Sequence, residues 1–169
     1  MQGRQIDNLK MVNSESLRVA DQLNRAFSGD AWHGPPVREL LARIDAGGAS
    51  ARPMAGAHSI WELVLHIDTY THGAIEALRG IPLPRWYGTG QDWPAPVHVS
   101  DDDWKQAKAR LFQNAEHLAS AIRELPDDRL FDAVPGRDYN FYHLFHGIVQ
   151  HSLYHGGQIA ILKKAVAVQ

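Results

Sequence analysis

The stretch His151-Ser152-Leu153-Tyr154-His155-Gly156-Gly157-Gln158-Ile159 places two histidines four residues apart. On an α-helix, residues i and i+4 lie about 40° apart around the axis, so both imidazoles project from one face. That spacing lets two ligands grip one metal ion, and neutral imidazole is the commonest protein ligand for zinc-like metals. A pair alone is also a common feature of a polar helix surface. A catalytic zinc generally takes about three protein ligands and keeps one position open, so the pair calls for a third ligand from another element.

Working outward, the pair lies in the last of four long helical stretches, residues 140–166. The first, residues 14–27, carries Leu17, Val19, Ala20, Leu23, Ala26 and Phe27 as a helix-like stripe and ends at Gly29-Asp30. A shorter helix is expected over residues 35–44, because Pro35-Pro36 suits a first turn, and a loop is expected at Gly47-Gly48-Ala49-Ser50. Ser59-Ile60-Trp61-Glu62 reads as a capping box that opens the second long helix, which runs to Leu78 and stops at Gly80-Ile81-Pro82. The segment 82–98, with Pro82, Pro84, Pro94 and Pro96, reads as a long irregular loop. Ser100 with Asp101, Asp102 and Asp103 opens the third long helix, where negative charge favours the helix start, and Pro126 stops it. No run alternates with the period of a strand. The fold class is therefore all-α, most simply a four-helix bundle formed by a single domain over residues 1–169. The loop lengths leave its topology open.

Composition narrows the function. The 169 residues suffice for one domain with a real core, and 44% hydrophobic with 21% charged residues is ordinary for a soluble protein. A net charge of −2 gives no sign of a nucleic-acid partner. No apolar run reaches the roughly 18 residues of a membrane span, and Met1-Gln2-Gly3-Arg4-Gln5-Ile6-Asp7 lacks a signal-peptide core, so a cytoplasmic location is the expectation. The chain has no cysteine, which leaves His, Asp and Glu to build any transition-metal site. Ten histidines, spread along the chain, are many for this length.

Bundles build metal sites from inward-facing side chains on neighbouring helices. The best third ligand is His66, well inside the apolar run Trp61-Glu62-Leu63-Val64-Leu65-His66-Ile67. His58 and His143 lie near helix starts and His98 in the Pro-rich loop; His72, His117 and His146 point elsewhere on their helical wheels or to solvent. His33, beside Trp32, remains a candidate for lining a pocket mouth. Glu62, one turn before His66, is explained as a capping residue and is also placed to orient an imidazole or act as a base. Gln158 lies about 20° from the His151 direction and is placed to hydrogen-bond a ligand or a bound molecule. Tyr154 projects about 60° from the pair. Trp32, Trp86, Tyr87 and Trp93 lie in loops, where they wall a pocket or simply pack. Gly156-Gly157 in mid-helix costs about 1 kcal/mol per glycine against alanine, and close helix packing is the expected compensation.

The block His151-x-x-Tyr154-His155-x-Gly157-Gln158-Ile159, with Trp61-Glu62-Leu63-Val64-Leu65-His66 upstream and Asp30-Ala31-Trp32-His33-Gly34-Pro35 before it, resembles the DinB/YfiT-like family of metal-dependent enzymes. The resemblance spans nearly the whole chain. It implies a four-helix bundle of up-down-down-up topology, frequently a homodimer, with a metal triad that falls on His66, His151 and His155. It also implies a small-molecule substrate and two kinds of chemistry: thiol transfer to small electrophiles with a low-molecular-weight thiol as cosubstrate, or hydrolysis through a metal-bound water. Three neutral imidazoles suit zinc, nickel, iron or cobalt, zinc and nickel foremost. With no cysteine in the chain, any thiol must be borrowed from a cosubstrate. A bundle that only binds, without turnover, is the reading from a different class.

Overall fold

A computed structural model describes residues 14–86 and 88–166; Tyr87 lies outside the described residues. Among these there are six α-helices, one 3-10 helix and no strand: α1 Glu15–Phe27, α2 Val37–Leu41, α3 Ala46–Ser50, α4 Ile60–Leu78, α5 Asp101–Glu124 and α6 Phe141–Val166, with the 3-10 turn Asp127–Phe131 between α5 and α6. The four long helices form the bundle. Helix α1 packs chiefly against α5 and α6, and α4 packs against the same two, so α4 and α6 are neighbours. None of the described helices is long and apolar enough to cross a membrane.

Local chemistry sets the helix starts. The Ser59 hydroxyl accepts from the Glu62 amide at 3.2 Å, and Glu62 Oε2 accepts from the Ser59 amide at 2.8 Å, so the capping box is complete. The Ser100 hydroxyl accepts from the Asp103 amide at 3.1 Å at the start of α5. Helix α1 is capped twice. Beside Ser14, the carboxylate of Asp127 accepts from the Ser16 and Glu15 amides, each at 3.0 Å, and from the Ser14 hydroxyl at 2.9 Å. The Ser16 and Glu15 amides hold the Asp127 carboxyl down at about 2. Asp127→Ala is expected to cost about 1–2 kcal/mol in chemical denaturation, because orphan donors of the first turn lose their acceptor. No change in the midpoint would count against this cap.

Two short segments differ from the sequence expectation. The helix after Pro35-Pro36 is only Val37–Leu41, and residues 46–50 form a helix instead of a loop. Asp45 accounts for the second difference: its Oδ1 accepts from the Gly48 amide at 2.8 Å, and the turn buries Ala46 and Ala49.

The glycine pair on α6 corrects another expectation. A Cβ at Gly156 would meet Leu40 and Val37 side chains at 3.8 and 3.9 Å, an ordinary contact, and one at Gly157 would meet nothing within 4 Å. Close packing therefore does not require Gly157, and Gly157→Ala is expected to stabilise the protein by up to about 1 kcal/mol in thermal or chemical unfolding. Destabilisation would show a constraint absent from these contacts. Gly73 on α4 is the glycine that packing does require, since a Cβ there would collide with the Trp86 indole and Leu83.

One continuous apolar core fills the bundle, with Leu23, Phe27, Ile60, Leu63, Ile67, Trp104, Leu111, Leu118, Ile122 and Phe145 fully enclosed. Polar ties cross it. Asp68 on α4 is buried and accepts from Arg110 at 2.6 Å and Asn114 at 2.8 Å on α5. The Trp104 indole N–H donates to the Ile44 carbonyl at 2.7 Å. The Asp68 contacts join α4 to α5, and His66 on α4 lies where that helix packs against α6.

Candidate metal centre

His66 on α4 and His151 and His155 on α6 meet where the two helices pack. Their Nε2 atoms converge: His151 lies 2.9 Å from His66 and 3.1 Å from His155, nitrogen to nitrogen. Three nitrogens bound tetrahedrally at about 2.0–2.1 Å from one ion would stand about 3.3 Å apart, so the observed spacing is close to that of a ligand set.

The outer nitrogens decide which ring atoms face inward. His66 Nδ1–H donates to the Asp92 backbone carbonyl at 2.5 Å, and His155 Nδ1–H donates to Gln158 Oε1 at 2.7 Å. Both acceptors fix the hydrogen on Nδ1 and leave the Nε2 lone pairs pointing at the common centre. His151 Nε2 faces both, and a single hydrogen there satisfies only one of them. His151 Nδ1 is buried and has no hydrogen-bond partner among the described residues. Protons do not relieve the cluster. Burial, then the neighbouring His155 and His66, push His151 down to about 3; burial also lowers His66 and His155. A buried group of lone pairs that resists protonation and meets at one point is what a cation fits. The cluster therefore fits a metal ion, which His66, His151 and His155 could hold.

A loop closes the site. Trp93 stacks on His66 with ring centroids 3.8 Å apart and on His58 at 3.6 Å, each within 3° of parallel. The two imidazoles cover its two faces. Asp92 turns its side chain to Tyr70, whose hydroxyl donates to Oδ1 at 2.7 Å, while the same carboxylate lies 3.7 Å from His66 Nδ1. Tyr70 in turn lies 5.0 Å from His66 and 4.7 Å from His151 by ring centroids, and its hydroxyl is pushed well above the ordinary range by burial and by Asp92. A cavity of about 350 Å³ opens on His155 and Gln158, with Trp93, His58, Leu63 and Ile161 in its wall.

The other candidates fall in different places. Gln158 reaches His155 directly. Glu62 is buried, its carboxylate bound to the Ser59 amide and, at 2.5 Å, to Arg52, and it lies 3.7 Å from His58 Nδ1. Burial raises its pKa, but the amide and hydroxyl of Ser59, then Arg52 and His58, together outweigh it and leave the pKa lowered. Trp93 walls the cavity as expected, whereas Trp86 packs over Gly73 and lines a separate hollow with Arg85 and Arg137. Trp32 is fully exposed and His33 exposed; both line a third hollow with Asp21, Arg25 and Leu153, apart from the triad. Tyr154 is 66% exposed at the cavity rim, with its ring 4.9 Å from that of His155. Asp92, Tyr70 and His58 complete the site although sequence patterning did not single them out.

The fold and the cluster together are those of an all-helical bundle whose neighbouring helices α4 and α6 carry a three-histidine group able to hold a metal ion. A family model described as the DinB superfamily matches residues 30–159, and the chain belongs to that superfamily. No match was found among curated proteins or among solved structures.

Proposed function

We propose that this protein is a metal-dependent enzyme in which His66, His151 and His155 hold one divalent transition metal, zinc or nickel foremost, and that it transfers a low-molecular-weight thiol to small electrophiles. The observation that carries the reading is the convergence of three Nε2 atoms at 2.9 and 3.1 Å beside an open cavity. A bound divalent ion supplies Lewis acidity, which lowers the pKa of a thiol or a water in its open position.

This chain's residues do the rest. Asp92 and Gln158 hold the rings of His66 and His155 so that their lone pairs face inward. Trp93 and Leu63 give the cavity beside His155 an apolar wall. Gln158, at the border of triad and cavity, orients both His155 and whatever enters. Glu62, whose carboxylate faces His58, is the acidic residue placed to act on the cavity through that imidazole.

With no cysteine in the chain, the thiol in that transfer comes from a cosubstrate. Hydrolysis is the second reading, because the same open position accepts water. The two separate in one assay. Metal-loaded protein is incubated with a neutral electrophile such as a chlorodinitrobenzene or an epoxide, with and without small thiols, beside aryl-ester controls. Thiol transfer predicts turnover only with a thiol, abolished in His151→Ala. Turnover of the esters with metal and water alone would transfer the assignment to hydrolysis, and no turnover in either arm would leave a binding bundle.

A further inference from the structure

The cavity beside His155 differs in character from the other hollows around the site. Its wall is built from Met54, Leu63, Trp93, Ile161 and Leu162 with a few uncharged polar groups, and it contains no Asp, Glu, Lys or Arg. The hollow on the far side of Tyr70, by contrast, carries Arg85, Arg137 and Asp138. An ion entering the first would lose hydration with no opposite charge to replace it, a cost an uncharged group avoids.

His58 supplies the specific polar contact. Its ring is held flat against Trp93, and its Nδ1 is buried with no hydrogen-bond partner among the described residues, 3.7 Å from Glu62 Oε2. Glu62 is itself fixed by Arg52 and the Ser59 amide, so its negative charge faces Nδ1 and favours the hydrogen there. The side chain is 41% exposed and lines the cavity. With Nδ1 turned inward, the edge offered to the cavity is Nε2 with its lone pair, an acceptor.

We propose that this cavity is a subsite for an uncharged, mainly apolar group bearing one hydrogen-bond donor, such as a phenol-like ring, and that His58 Nε2 accepts that hydrogen bond while Glu62 fixes the tautomer. The proposal names the substrate class of the enzyme proposed above and rests on that reading for its place in turnover. Its size, about 350 Å³, lies within the range of about 300–1,000 Å³ in which small-molecule sites fall.

Ligand-observed NMR titrations on the chelator-treated 169-residue chain test this without the metal, so that no carboxylate binds through an ion. The probes are p-cresol, toluene, benzoate and benzylammonium. The expected order is p-cresol tightest, toluene about 5- to 10-fold weaker for want of the donor, and both ions weaker still. His58→Phe keeps a flat ring against Trp93 and removes the acceptor; p-cresol is expected to fall to the affinity of toluene, with toluene unchanged. Benzoate or benzylammonium binding as tightly as p-cresol, the absence of saturable binding, or an unchanged p-cresol preference in His58→Phe would overturn the proposal. If that variant does not fold, the charge series on the wild-type protein still decides. Turnover of metal-loaded protein without this ligand order would reject the subsite and keep the enzyme; this order without turnover would do the reverse.

Discussion

Protein loaded with zinc or nickel is expected to melt about 8–16 °C above the chelated protein, and His151→Ala is expected to erase the difference. A ligand that binds only the folded state stabilises it by about 4 kcal/mol when present at a thousand times its dissociation constant. A domain of this size moves about 2–4 °C per kcal/mol. The ligand atoms already stand within 4.8 Å of one another, so little ordering opposes binding. In the chelated protein the three lone pairs face each other with at most one shared hydrogen, which makes the gain on binding larger. Scanning calorimetry with and without chelator, for wild type and His151→Ala, checks this. A wild-type melting temperature indifferent to metal, or an equal shift in the variant, would contradict it.

Acid is expected to act on the chelated protein through the same three rings. All three have folded-state pKa values lowered by burial, His151 to about 3. The unfolded chain therefore binds more protons than the folded one below about pH 6.5, and stability falls as pH falls. The contribution is fully present above the unfolded value and is lost progressively toward the folded values. At pH 5 His151 alone accounts for about 2 kcal/mol, at about 1.4 kcal/mol per pH unit, and His66 and His155 act in the same direction. Urea midpoints of chelated wild type should drop between pH 7 and pH 5, and His151→Ala should drop less. A variant as acid-sensitive as wild type would show that other groups carry the effect.

The parts of this molecule readable from sequence are those written in local periodicity. Ser59 and Glu62 announce a helix start because both partners lie within one turn, and His151 and His155 share a face because of helical geometry. His66 stood out as a histidine inside an apolar run. The less legible parts depend on segments far apart in sequence. Asp127 caps a helix more than a hundred residues earlier, and no local pattern foretells that. The backbone carbonyl of Asp92 orients His66, a role no residue identity encodes, and a Pro-rich loop carries no period to place it. His58 looked like a helix-start residue because its position is one; only the return of Trp93 onto it makes it part of the site. For His33 and Trp32, adjacency in sequence to an aromatic loop suggested a pocket mouth, yet the chain turns them to solvent beside Asp21 and Arg25.

The central claim is that three histidines from two helices hold one ion, and the most direct test is metal content. Untagged protein exposed to zinc and to nickel, then freed of excess metal, is analysed by plasma mass spectrometry beside His66→Ala and His151→Ala, with circular dichroism confirming that the variants keep their helices. The expected result is about one ion per chain in wild type and background levels in both variants. Wild type without stoichiometric metal, or a helical variant that retains a full equivalent, would contradict the account.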